Sequence, residues 1–457
     1  MIVIKFGGTS VGDSERVQRA IQIVGNAVPR KPVVVVSALA GVTNGLVDAA
    51  HRASTGEFED AAAILDSIRQ RHEDVALQLV QQKSDYLQSF LAQLQKHIEQ
   101  IRYILKGIAL VGEVSPRAND KIVAIGEKLS SVLFAYSMRM HTLPGVHIDS
   151  EQVVVTDETF GGAMPLMDET RKAAEAVLLP EIERGHIPVM GGFIGRARSG
   201  ATTTLGRGGS DYSASIIGAA LGAEEIEIWT DVDGMMTSDP RVIASARVID
   251  RISYEEAAEL AYFGAKVLHP KTIAPAVEAG IPIRVLNTHN LDSRGTIITA
   301  DGERGVGPRA IALKKDITSV HITSNKMLGA HGYLARIFAA FDRLKIPVDL
   351  ITTSEVSVSL TVESGEHLEQ LQEDLSPFAN VEVRKGQAII ALVGRGVLSD
   401  PGTGQRIFAA LGETPITMLS VGSSALNFSI VVPQERAETT MRNLHQALFE
   451  AVGAGAS

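Results

Sequence analysis

Residues 202–214 read Thr-Thr-Thr-Leu-Gly-Arg-Gly-Gly-Ser-Asp-Tyr-Ser-Ala, which gathers an arginine, an aspartate, hydroxyls and three glycines just ahead of an apolar helical pattern. Gly206, Gly208 and Gly209 tolerate positive φ and carry no Cβ, so successive backbone N–H groups can turn towards one anion. A helix over 210–221, with apolar Ile216, Ile217 and Leu221, would aim its positive end at the same point. Arg207 adds a planar fork suited to a carboxylate or phosphate, and Asp211 a negative partner for a cation such as a substrate ammonium or Mg²⁺. The pattern matches neither the P-loop nor the dinucleotide fingerprint. A glycine-rich turn with a structural ion pair is the plainer reading.

A second candidate lies at the start of the chain. The apolar run 2–6 ends in Gly7-Gly8-Thr9-Ser10 and leads into a helical pattern through Val17, Ile21 and Val24, which reads as strand, phosphate-sized turn, helix. Lys5 sits where its ammonium can reach over that turn. A further apolar strand, 33–36, delivers Ser37 and Thr43, and a strand over 226–230 delivers Thr230, Asp231 and Asp233. Glu127, inside a helix predicted over 121–140, reads by itself as an exposed helical glutamate. His269 reads as a helix cap or packing residue.

The elements that must position these groups are apolar strands alternating with helices. Such a pattern makes a mostly parallel sheet sandwiched by helices, whose ligands collect at the carboxyl ends of the strands. The spacing places strands at 187–195 and 283–287 and a polar, glycine-rich linker over 301–308. Beyond it the order βαββαβ occurs twice, over 316–386 and 387–457, the signature of two ferredoxin-like units. With 457 residues, several domains are expected. A net charge of −10 without a dense basic run argues against nucleic acid as a partner. The chain has no cysteine, so thiol catalysis and disulfides are excluded. With no apolar run of membrane-spanning length and no signal-peptide pattern, a cytoplasmic protein without membrane attachment is expected.

Taken together, residues 5–11, 204–211, 229–234 with Asp239-Pro240-Arg241, 263–270 (Phe-Gly-Ala-Lys-Val-Leu-His-Pro) and 350–355 resemble the aspartate kinases, in order and along nearly the whole chain. The resemblance implies an amino-acid-kinase fold over 1–300, a linker over 301–315 whose strand pairs with the second sensor unit, and two ACT domains over 316–386 and 387–457. It implies transfer of a phosphoryl group from ATP with Mg²⁺ to the β-carboxylate of L-aspartate, the first step towards lysine, threonine and methionine. Lys5, Arg207 and Asp211 would be catalytic, with Thr43, Glu127 and Arg207 on the substrate. Lys5, Gly7, Gly8, Ser37, Thr230, Asp231, Met236, Arg241 and Lys266 would meet the nucleotide, and no metal site built from protein alone is expected. Many relatives have tyrosine at the position of Met236. An amino-acid effector, lysine, would meet Met327, Ala330, Tyr333, Leu334, Val348, Asp349 and Ser354, with the Val348-Asp349 pair on a strand. Ala330 stands where such relatives commonly carry serine. A homodimer or dimer of dimers through the ACT domains is implied, and the end of the chain after the second unit speaks against a fused homoserine dehydrogenase. The alternatives are another carboxylate kinase of the same fold, acting on glutamate or N-acetylglutamate, and a non-catalytic amino-acid sensor.

Overall fold

Strand β1 (Ile2–Phe6), buried at every position, pairs with a parallel strand on each side and packs Ile2, Ile4 and Phe6 into the main apolar core. This computed structural model describes all residues except 81–84, 265–267, 304, 329–330, 364, 366, 423–424 and 451–457. The chain separates into two compact units, the first made of 1–235, 250–254 and 267–302, the second of 236–249, 255–266 and 303–457.

In the first unit β1 leads to α1 (Ser14–Ala27), capped by the Asp13 carboxylate on the Arg16 amide, and then to β2 (Pro32–Val36). Helices α2 (Val42–Ser54), α3 (Phe58–Leu79) and α4 (Asp85–Val111) follow. The apolar stripe of α4, with Leu87, Leu94, Ile98, Ile101 and Leu105, is buried in the main core, as its helical spacing demands. The single helix expected over 121–140 is two helices, α5 (Pro116–Val123) and α6 (Ile125–Met140). They break at Ala124, where Gly126 must pass so close to residue 38 that a Cβ on it would stand 2.8 Å from that of Ala38.

Next come β3 (Gly145–His147), β4 (Val155–Thr156) and α7 (Met167–Glu183). The strand expected over 187–195 is likewise two, β5 (Ile187–Gly191) and β6 (Ile194–Ala197), because Phe193 adopts φ +66° between them. Strand β7 (Thr202–Thr204), α8 (Gly209–Leu221), β8 (Glu225–Thr230) and β9 (Arg251–Ser253) complete the approach to α9 (Tyr254–Tyr262). Helix α10 (Pro270–Glu278), β10 (Ile283–Asn287) and β11 (Thr296–Thr299) end the unit. The eight-stranded sheet runs β3-β5-β2-β1-β8-β10-β11-β9, parallel from β3 to β10. Strands β4, β6 and β7 form a small separate sheet.

The second unit holds a six-stranded antiparallel sheet ordered β13-β14-β12-β15-β17-β16. In chain order it contains β12 (Ala310–Thr323), α11 (Tyr333–Arg343), β13 (Ile351–Thr353), β14 (Ser357–Glu363), α12 (Leu368–Leu375) and β15 (Asn380–Val393). After these come α13 (Pro401–Leu411), β16 (Met418–Val421), β17 (Asn427–Pro433) and α14 (Gln434–His445). Strands β12 and β15 are long enough to serve both halves. Their register shifts near Lys314 and Ile317, where Asp316 and Gly386 take φ +60° and +69°. On one side of that kink, residues 310–314 pair with 389–393 and share a core with α13 and α14; on the other, 317–323 share a core with α11 and α12. Residues 317–385 thus follow the order βαββαβ, whereas the second module runs only βαββα from 387 onward among the described residues and takes its remaining strand from 310–314, a correction to the second βαββαβ expected over 387–457. No helix among the described residues is long and apolar enough to cross a membrane.

Candidate active site

The carboxyl ends of β1 and β2, the amino ends of α2 and α8, and helices α5 and α6 surround a cavity of about 580 Å³. Lys5, Ser37, Thr43, Glu127, Arg207 and Asp211 all line it, so residues that stand far apart in the chain meet in one place. Gly206 and Gly208, at φ +77° and +70°, turn the chain between β7 and α8 so that Arg207 projects from the loop tip. A side chain at Gly208 would be strained twice over, since its Cβ would also stand 2.8 Å from the Thr272 methyl. Gly8 lines the cavity as well, whereas the Gly7 amide donates to the Trp229 carbonyl at 3.1 Å. The nucleotide contact expected at Gly7 therefore cannot come from its amide, whose N–H is used to tie β1 to β8.

The charged groups of this cavity comprise one ion pair, an arginine outside any ion pair and a buried glutamate, among the described residues. The Lys5 ammonium lies 2.6 Å from Asp211 Oδ1, with both side chains largely buried. Asp211 was expected to await a ligand cation; its first partner is Lys5. Among the described residues Arg207 has no ion-pair partner, and it is exposed to the cavity mouth. Glu127 is not a surface glutamate: it is 4 % exposed, and its Oε2 is buried without a hydrogen-bond partner among the described residues. Burial pushes its pKa up to about 8, against the opposing effect of the Ala38 amide and its own backbone amide. A buried carboxyl group that faces a cavity with a free oxygen is prepared for a cation that arrives with the ligand.

Two wall residues, Asn119 and Phe193, carried no sequence signal of their own. Asn44, Asn119, Phe193 and Ser210 line the cavity. Phe193 sits in a left-handed conformation that a bulky residue rarely adopts. Asp120 on α5 is fully buried and accepts from Gly161 N (3.0 Å to each oxygen), Thr204 N (2.9 Å) and Thr204 Oγ1 (2.8 Å). Arg71, from α3, donates to the carbonyls of Ala40 and Gly12 and so ties together the turns after β2 and β1. His269 caps α10 by accepting from the Lys271 amide at 3.3 Å, in line with its sequence reading.

The Amino acid kinase family profile matches residues 1–287, and an ACT domain profile matches 320–369 and 390–448. The lysine-sensitive aspartokinase 3 of Escherichia coli is 38 % identical over 98 % of this chain and 99 % of its own length. Aspartokinase 3, chloroplastic, of Arabidopsis thaliana is 36 % identical over 98 % of this chain and 81 % of its own length. The chain belongs to the aspartokinases. Crystal structures of E. coli aspartokinase III superpose on it with TM-scores of 0.82, for the complex with lysine and aspartate (T-state), and 0.83, for the complex with aspartate and ADP (R-state). They are 37 % and 38 % identical to it, and each comparison covers 98 % of this chain and at least 99 % of the other.

The remaining aspartokinase positions fall in several places. Thr230 and Asp231 stand at the carboxyl end of β8, beside β1, with Thr230 Oγ1 on Asp231 at 3.2 Å. Met236 and Arg241 belong to the second unit; Arg241 forks onto Asp239 at 2.7 Å and is otherwise exposed. Lys266 and Ala330 lie outside the described residues. Among the sensor positions, Tyr333 opens α11 and donates to the Phe378 carbonyl at 2.7 Å, while Leu334 is exposed. Met327 packs against the core of the first ACT module, and Ser354 bonds to Ser357 at 2.7 Å. Val348 and Asp349 are not on a strand, since β13 begins only at Ile351; the Asp349 amide instead bonds to the Thr361 carbonyl at 2.9 Å. The Asp349 Oδ1 accepts from Lys314 at 2.7 Å and from Tyr262 at 3.0 Å, and its Oδ2 is buried without a partner among the described residues.

Proposed function

We propose that this aspartokinase transfers the γ-phosphoryl group of ATP to the β-carboxylate of L-aspartate in the cavity of the first unit. One observation carries the reading: a guanidinium and a carboxylate oxygen without partners among the described residues converge with a buried ammonium on one space. Two anions must be brought together there, so cationic groups that neutralise both and hold them in line supply most of the catalysis. Lys5 meets the transferring phosphoryl group, with Asp211 fixing its direction. Arg207 clamps a carboxylate of the substrate, and Glu127 with Thr43 takes its ammonium. The acceptor carboxylate is already ionised near neutral pH, so no strong general base is required.

Gly8 and Ser37 contribute to the nucleotide side, with Thr230, Asp231, Met236, Arg241 and Lys266 as further contacts. Mg²⁺ would arrive on the nucleotide and offset its phosphate charge, and Asp211 is the acidic side chain beside Lys5 that could receive it. Catalysis is assigned to residues 1–300 and sensing to 316–386 and 387–457, with 301–315 as linker and shared strand. Lysine is the proposed effector, its ammonium taken by the free Oδ2 of Asp349 and its carboxylate by the amide end of α11. Assembly as a homodimer or dimer of dimers through the ACT domains completes the proposal.

The test is ATP-dependent hydroxamate formation from aspartate and from glutamate, with and without lysine or threonine. Turnover of aspartate, inhibited by lysine, is expected. Equal turnover of glutamate would overturn the substrate assignment.

A further inference from the structure

We infer that Asp120 is a positioning residue: it staples the 157–163 loop to the arginine-bearing loop and thereby sets where Arg207 meets aspartate. Its carboxylate is fully buried, and it makes no ion pair among the described residues. Its two oxygens instead take three donors from two separate loops: the Gly161 amide at 3.0 Å, the Thr204 amide at 2.9 Å and the Thr204 hydroxyl at 2.8 Å. Carboxylate bonds of this kind are stronger than those between neutral groups, and their loss in a buried place leaves donors unsatisfied.

The two loops are already in contact. The Ala163 amide donates to the Thr204 carbonyl at 2.8 Å. Gly206 lies so close to its neighbour that a Cβ there would stand 3.2 Å from the Gly161 oxygen. Thr204 is the last residue of β7, and only Leu205 and Gly206 separate it from Arg207. Arg207 stands between two glycines in the left-handed region, in a turn with little stiffness of its own, so its position depends on the anchor at Thr204. Asn119, one residue before Asp120, lines the cavity, so α5 presents one side chain to the ligand space and the next to the staple. The phosphate-side loops after β1 and β2 are tied by Arg71 instead. Loss of Asp120 should accordingly be felt on one side of the cavity.

The inference rests on the assignment of Arg207 to the aspartate side, and the experiment separates the two. Steady-state kinetics are measured for Asp120→Asn and Arg207→Ala in the full-length chain. Asp120→Asn keeps the shape and replaces one acceptor oxygen with a donor facing donors, so a mere packing role would leave it silent. The expected result is an aspartate KM raised on the order of tenfold, with the ATP KM within about twofold of wild type. An unchanged aspartate KM, or parallel rises in both KM values, would overturn the staple. An unchanged aspartate KM in Arg207→Ala would overturn the assignment on which it rests. If Asp120→Asn does not fold, Thr204→Val removes only the hydroxyl donor; a rise of about threefold in aspartate KM alone is then expected, and no change overturns the inference.

Discussion

At the scale of single residues, the cavity combines one ion pair, Lys5 with Asp211, with two groups open to a ligand, Arg207 and Glu127. Lys5→Ala should lower kcat on the order of a hundredfold or more, because the lost ammonium acts on charge that grows in the transition state. The same substitution strands Asp211 in a largely buried place, and breaking such a pair costs about 3–5 kcal/mol of stability. Lys5→Ala/Asp211→Ala is therefore the fair control: it should recover much of the thermal stability and none of the turnover. Near-normal turnover in Lys5→Ala would make Lys5 a structural strand-end residue. Glu127 gives a pH signature. Burial raises its pKa to about 8 in the free protein, so it is neutral at lower pH and can take a substrate ammonium only after losing its proton. The aspartate KM should fall as pH rises towards about 8, and Glu127→Gln should show a higher, flatter profile. The stability effect has the opposite sign: a pKa raised above the unfolded value makes the protonated form the favoured folded one. That contribution is complete below about pH 4.5 and is lost as pH rises through about 8. Thermal midpoints of wild type minus Glu127→Gln against pH should show this decline, and saturating aspartate should counter it at high pH. Parallel profiles for the two proteins would dismiss both statements.

Elements matter here for where they end. Strands β1, β2 and β8 run parallel and stop together, so the residues just after each reach one edge, and α8 begins where the glycine loop closes. Gly208→Ala places a Cβ at φ +70° and 2.8 Å from Thr272. The variant should lower the thermal midpoint by several degrees, for a loss of about 1–2 kcal/mol, and raise the aspartate KM as the loop moves away from Thr272. Wild-type kinetics in a folded Gly208→Ala would show that the loop needs no left-handed residue there. Helix α9 illustrates how an element can belong to a different body from its sequence neighbours. From Glu255 onward it groups with the second unit, where Glu259 accepts from Asn427 at 2.9 Å and Tyr262 donates to Asp349 at 3.0 Å.

For the whole molecule, the functional question is how a ligand of the second unit changes the behaviour of the first. A ligand shifts a conformational equilibrium only by its differential affinity for the two states. Asp349 is the residue whose loss should remove that difference for lysine, since its Oδ2 is buried and unpartnered. Asp349→Ala is expected to retain aspartate kinase turnover and lose lysine inhibition, and with it the rise in thermal midpoint that bound lysine confers. Lysine titrations of wild type and variant, with threonine as control, decide this; coincident inhibition curves would refute it. Because Lys314 already occupies Oδ1 at 2.7 Å, its ammonium would also be released towards Glu363, 3.0 Å away, so the variant should fold without stranding a buried cation.

What the sequence determined by itself was chemistry that depends on residue type and short spacing. Glycines before a helix, an arginine between them, a lysine at the end of an apolar run and a repeated βαββα order are local patterns, and each imposes backbone conformation or burial without help from distant residues. The doubly covered parallel sheet and the tandem ACT modules followed from these. Tertiary structure decided what depends on which distant groups meet. It gave Asp211 to Lys5, buried a glutamate that reads as a surface residue, split two expected elements at Ala124 and Phe193, and used the Gly7 amide to join strands. It also brought Asp120 beneath two loops. Burial, hydrogen-bond partners and close approach arise from contacts across the chain, and neither periodicity nor propensity contains them.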